Sequence, residues 1–219
     1  MNNYKKSTSL FFKRFILIIL MYQLSRVLFY LINFKLLDTF TFQTFLGGLL
    51  FDFAAVSYIN LIFLIAHLIP GRFKYTNRYQ LIVKIAYYLV NLLFIATNFI
   101  DIIYYRFTGR RSTFGMITAK GMQHEAIGLI PSFLQEFWYI AVVFIILSIL
   151  LWKMIPDLNG TSFTKKLIKK DYYKKTVFLA VGVTLLMILG RGGLQKKPIR
   201  IVDGIKFSSI TNTPLVLKT

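Results

Sequence analysis

Three stretches of this chain, 10–34, 43–69 and 81–105, stay apolar over lengths that no small soluble domain can hide. A helix needs about 20 consecutive, mainly apolar residues to cross the hydrocarbon core of a bilayer. Each stretch meets that length. Of the 219 residues, 56% are hydrophobic, so there is too little polar surface to wrap the rest in water. Two further apolar runs, 135–155 and 174–190, complete the pattern. The expectation is an all-α integral membrane protein with five transmembrane helices. Residues 1–9 form a polar, basic leader without regular structure, and 106–134 holds room for an interfacial helix between the third and fourth spans. The first run lacks the small-x-small site that would mark a cleaved leader, so it reads as a retained helix.

Charge then orients the chain. Lys and Arg number 27 against 8 Asp and Glu, a formal net charge of +19. Most of these cations flank the apolar runs, which points to anionic lipid headgroups rather than nucleic acid. With the N-terminus cytoplasmic, the inner segments carry 14 basic residues and the outer segments 11. The bias is small and favours a cytoplasmic N-terminus and an extracytoplasmic C-terminus. Trp138 and Trp152 stand near the two ends of the fourth run, where interfacial anchors belong. Cysteine is absent, which excludes disulfides, thiolate metal sites and a cysteine nucleophile. His67 and His124 are far apart in sequence, so a metal site built from this chain alone is not expected.

The informative residues are the polar ones inside the runs. Asp52, Asn60 and His67 repeat at spacings of eight and seven, which sets them on one face of the second helix. Lys84, Asn91 and Asn98 repeat every seven residues, with Asp101 three further on. Such a stripe either glues helices together by hydrogen bonds or forms a polar seam leading to a headgroup site. Arg26 and Asp52 lie at matching depths of a helical hairpin. They form an ion pair, share a buried polar cluster with Asn98 and Asp101, or face a watery cavity. Arg106, Arg110, Arg111 and Arg191 lie at the expected outer helix ends. There they act as ordinary interfacial anchors or as ligands for a phosphate headgroup.

Three groups of residues carry a resemblance. They are Phe51-Asp52-Phe53-Ala54 with Tyr58-Ile59-Asn60-Leu61; Asn98-Phe99-Ile100-Asp101 with Tyr104-Tyr105-Arg106-Phe107-Thr108-Gly109-Arg110-Arg111-Ser112-Thr113; and Arg191-Gly192-Gly193-Leu194-Gln195 with Pro198 and Asn212-Thr213-Pro214. In this order they resemble the N-terminal membrane part of lipoteichoic-acid-synthase-like proteins, particularly the Bacteroidetes type. The resemblance implies five helices in a bacterial cytoplasmic membrane (1–190), then an extracytoplasmic linker (191–219). It further implies an alkaline-phosphatase/sulfatase-fold domain with a threonine nucleophile and a divalent metal, commonly manganese. Such a domain moves phosphoglycerol or a similar phospho-headgroup, phosphoethanolamine in related enzymes, from a lipid donor to an acceptor. Residues up to Thr219 include no nucleophile-bearing segment and no cluster of Asp, Glu and His. Thr211, Thr213 and Thr219 have nothing near them in sequence to hold a metal or take a proton. No catalytic residue and no cofactor is therefore assigned to this chain. The expectation is a truncated or partial transferase whose membrane module binds anionic phospholipid and serves a sulfatase-fold domain in cis or in trans. The alternatives are a stand-alone polytopic scaffold or lipid-binding protein, and a small transporter.

Overall fold

The computed structural model describes residues 3–37, 41–69, 73–109, 135–156 and 169–194, with Pro198 and Asp203. Among these residues the secondary structure is helical, with no strand. The helices are α1 (Asn3–Asn33), α2 (Phe42–Leu68), α3 (Asn77–Thr108), α4 (Trp138–Met154) and α5 (Lys169–Gly190). Short 3-10 turns lie at Phe34–Leu36 and Phe73–Tyr75. Three stretches, Thr8–Leu36, Phe42–Leu68 and Asn77–Thr108, are long and apolar enough to cross a membrane, at 29, 27 and 32 residues. The apolar parts of the other two, Trp138–Met154 and Thr176–Gly190, are shorter.

The helix ends follow local chemistry. The Thr44 amide donates to Thr41 Oγ1 at 3.2 Å, and the Tyr79 amide to Thr76 Oγ1 at 3.4 Å, so a threonine caps the start of α2 and of α3. Helix α3 stops at Gly109, whose amide donates to the Tyr105 carbonyl at 2.8 Å and whose φ of 64° suits glycine. Helix α5 ends in a Schellman arrangement, with the amides of Gly192 and Gly193 donating back to Leu189 O and Ile188 O. One expectation is corrected here. The leader is helical from Asn3 onward. Residues 3–9 contain no proline or glycine to stop a helix, and lysine is a good helix former, so α1 simply extends outward. The interfacial helix expected within 106–134 is not tested beyond Gly109, because α3 runs on through Thr108 and 110–134 lie outside the described residues.

The chain divides into two compact units. The first comprises Met1–Met21, Leu50–Asn91 and Leu151–Ile199. In it α2 and α3 run antiparallel, with Asn60 beside Asn91 and the Phe63 ring edge-on to Tyr87 at 5.1 Å. Helix α1 joins them through Phe11 against His67 and Phe15 against Phe53. Helix α5 approaches α2 through glycines. A methyl group at Gly182 would touch Leu64 and Leu68 at 3.3 Å, and one at Gly190 would meet the Tyr58 ring at 3.0 Å. Small residues allow this approach where two membrane helices pack.

The second unit comprises Tyr22–Leu49, Leu92–Leu150 and Arg200–Thr219. Here α3 and α4 run antiparallel, Phe99 against Phe144 and Phe107 against Phe137. The Phe29 ring packs on Tyr105 at 5.1 Å. In both units the outward surface is apolar: Ile62, Ile82, Leu93, Ile145 and Ile146 are all more than half exposed. Such a surface is costly in water and costs nothing in lipid.

Candidate functional site

Polar side chains inside these helices must find partners within the protein, because lipid offers none. In the second unit Arg26 is buried and its Nη2 donates to the Gly48 carbonyl at 2.7 Å. That carbonyl is reachable only because residue 48 lacks a side chain. A methyl group there would occupy the place of the guanidinium. Asn33 Nδ2 donates both to Phe29 O in its own helix and to Ile102 O in α3, at 3.1 and 3.2 Å. Asn98 and Asp101 are buried in the same unit, and Asn98 Nδ2 donates to Phe94 O one turn back. Asp52 is fully buried and belongs to the first unit.

The second unit also shows how α3 leaves its apolar stretch. Arg106 lies in the last turn, exposed, with its guanidinium carbon 5.9 Å from the centre of the Phe137 ring. Asp101 and Ile102, about one turn before it, and its neighbour Tyr105 are buried. The side chain is therefore steered by an aromatic face while its N–H groups remain accessible. Arg191, just beyond α5, is also exposed, but it belongs to the first unit. Arg110 and Arg111 lie outside the described residues.

The first unit contains a second polar centre, around Arg14. Its Nε and Nη2 donate to the Pro156 carbonyl at 3.2 and 2.9 Å, and its Nη1 lies 3.1 Å from His67 Nε2. His67 Nδ1 lies 2.7 Å from Phe63 O. A carbonyl can only accept, so Nδ1 carries the proton and Nε2 accepts from the arginine. The Tyr87 hydroxyl donates to the Arg14 carbonyl at 2.6 Å, and Lys74 Nζ donates to the His67 carbonyl at 2.8 Å. One arginine thus ties together the early part of α1, the end of α2, the start of α3 and the end of α4. Its donors hold helix ends.

The α3 stripe divides along its length. Asn91 forms a reciprocal amide pair with Asn60, each Nδ2 donating to the other's Oδ1 at 3.0 Å. Each also donates to a carbonyl of its own helix, Asn60 to Val56 O and Asn91 to Tyr87 O. That closed arrangement favours the glue alternative for the middle of the stripe. Lys84 Nζ lies 4.9 Å from the centre of the Trp152 ring. Among the described residues no three of His, Cys, Asp and Glu come together in a way that could hold a metal ion.

The chain matches no protein-family model, no curated protein and no solved structure.

Sequence reasoning passed over Arg14 as a flanking cation and Lys74 as a loop cation, yet both side chains are fully buried. For Arg14 a signal existed. Phe11, Phe15, Ile18, Tyr22, Ser25 and Phe29 follow the alternating three- and four-residue spacing of a buried helix face, and Arg14 sits within that face. For Lys74 there was none, because its burial depends on where α2 ends.

Proposed function

We propose that this chain is the membrane module of a phospho-headgroup transferase, which holds a donor lipid and serves a sulfatase-fold catalytic domain in cis or in trans. In this reading five helices cross a bacterial cytoplasmic membrane with the N-terminus inside, and α3 and α5 exit on the outer side. The arginines at those exits, Arg106, Arg110 and Arg111 after α3 and Arg191 after α5, are the separate candidates for a ligand to the donor's phosphate. The nucleophile and any divalent metal belong to the catalytic domain.

The observation that carries the reading is Arg106, exposed at the end of a membrane-length helix and poised over Phe137. A guanidinium held by an aromatic face is pre-oriented, and its planar fork suits phosphate oxygens. The three residue groups that resemble lipoteichoic-acid-synthase-like proteins supply the reaction class. The Asn60 and Asn91 amides satisfy each other, which supports a gluing role for the middle of the α3 stripe on which a transporter reading would rest.

The test is binding of phosphatidylglycerol against phosphatidylcholine by the protein in nanodiscs, read by native mass spectrometry. Arg110→Glu with Arg111→Glu should lower the number of bound phosphatidylglycerols well beyond the effect of Lys165→Glu with Lys166→Glu. Equal losses from both pairs would mean nonspecific surface attraction and would remove the headgroup reading.

A further inference from the structure

Helix α5 ends partway along α2. Gly182 lies against Leu64 and Leu68, and Gly190 against the Tyr58 ring, so α5 runs antiparallel to α2 and stops beside Tyr58. Tyr58 is ten residues before the end of α2, about 15 Å at 1.5 Å per residue, and α2 extends another sixteen residues, about 24 Å, the other way to Phe42. The whole of α2 is about 40 Å long, against about 30 Å for the hydrocarbon core of a bilayer. Even with all of that surplus placed at the Phe42 end, the end of α5 lies about 14 Å inside the apolar layer.

The backbone at that depth is no longer helical. The amides of Arg191, Gly192 and Gly193 turn back onto Met187 O, Leu189 O and Ile188 O, and both glycines have positive φ, 82° and 117°. Non-helical backbone inside a membrane is tolerated only where protein covers it or water reaches it. Protein covers this turn only in part: Arg191 is exposed, Gly192 and Gly193 are half-buried, and Leu194 is 89% exposed. A bilayer can also thin around a short helix. However, Thr8–Leu36, Phe42–Leu68 and Asn77–Thr108 are each of full membrane length, and a bilayer thinned all round would leave their apolar surface in water.

We propose that a water-filled recess opens on the membrane face at which α2 begins, with the end of α5 against Tyr58 as its floor. Water in the recess hydrates the turn after Gly190, so α5 leaves the apolar layer below the membrane surface. In the topology proposed above that face is extracytoplasmic, and a headgroup phosphate that meets Arg191 does so inside the recess. The recess itself rests only on the membrane part of that reading.

The chain has no cysteine, so single-cysteine variants of the full chain map where water reaches. Leu194→Cys and Arg191→Cys probe the recess. Lys35→Cys, just before α2, marks the surface on that face. Leu93→Cys probes lipid: Leu93 is 64% exposed and lies two residues beyond Asn91, whose partner Asn60 lies two residues beyond Tyr58. The reagent is a membrane-impermeant maleimide, applied to intact and to permeabilised cells. Labelling of each variant after denaturation in SDS sets the scale. Leu194→Cys and Arg191→Cys should label from the same side as Lys35→Cys and within about tenfold of its rate, and Leu93→Cys about a hundredfold more slowly, because only a hydrated thiolate reacts. If Leu194→Cys or Arg191→Cys is as slow as Leu93→Cys, the end of α5 lies in lipid and the recess is overturned. If Leu93→Cys is as fast as they are, water reaches that height all round and the recess is equally overturned. Labelling from the side opposite Lys35→Cys also removes it. Because Lys35→Cys supplies the reference side, the outcome does not depend on which face is extracytoplasmic. Retention of the protein in membranes washed with alkaline carbonate shows independently that the chain is embedded, so failure of the recess is told apart from failure of the membrane reading.

Discussion

At the residue scale, Arg26 and Gly48 show how a membrane helix accommodates a buried cation. The guanidinium needs an acceptor, and the Gly48 carbonyl provides one at 2.7 Å because no side chain stands in front of it. Arg26 could be recognised as special from sequence, since charge inside an apolar run is rare. That Gly48 rather than Gly47 faces it could not, because adjacent residues on a helix point about 100° apart. Gly48→Ala should therefore lower stability by about 2 kcal/mol, the usual cost of overpacking. In an Arg26→Ala background the same substitution should cost almost nothing. Thermal unfolding in detergent measures both differences. An equal penalty with and without the arginine would show that the collision is not the cause.

Elements are joined by the Asn60–Asn91 pair, which forms at one register of α2 against α3. The spacing of seven already placed Asn91 in a stripe, and Asn60 shared a face with Asp52 and His67. Which asparagine meets which depends on the relative height of two helices, and the Phe63–Tyr87 contact one turn away belongs to the same register. Asn60→Leu strands the Asn91 amide and should destabilise the protein by about 1–2 kcal/mol. The double variant Asn60→Leu with Asn91→Leu replaces both partners and should recover most of that loss. Equilibrium unfolding in mixed SDS micelles gives the comparison. A double variant as unstable as the sum of the singles would mean the pair does not act as a unit.

At the scale of the whole molecule, the Arg14 centre bears on orientation. Contacts from Arg14, His67, Lys74, Tyr87 and Pro156 gather the early part of α1, the end of α2, the start of α3 and the end of α4 at one place. An alternating path of helices follows, and basic flanking residues mark that end as cytoplasmic in the proposed topology. With no native cysteine, single-cysteine variants report cleanly. Lys35→Cys and Thr108→Cys should react with a membrane-impermeant maleimide on intact cells. Ser9→Cys and Arg78→Cys should react only after permeabilisation. The reverse pattern would turn the chain over and move Arg106 to the cytoplasmic face.

The membrane-length helices α1, α2 and α3 were legible in the order of residues alone. An apolar run in lipid must satisfy its own backbone hydrogen bonds, so length and apolarity suffice to call for a helix. The same holds for the burial of Arg26, Asp52, Asn98 and Asp101, since a polar group inside such a run turns away from lipid. Partnership is different in kind. That Arg14 grips Pro156, that Asn60 finds Asn91 and that Lys84 stacks on Trp152 depends on the rotation and height of each helix against its neighbours. Those two quantities are set by packing over the whole interface, and no local stretch of sequence contains them.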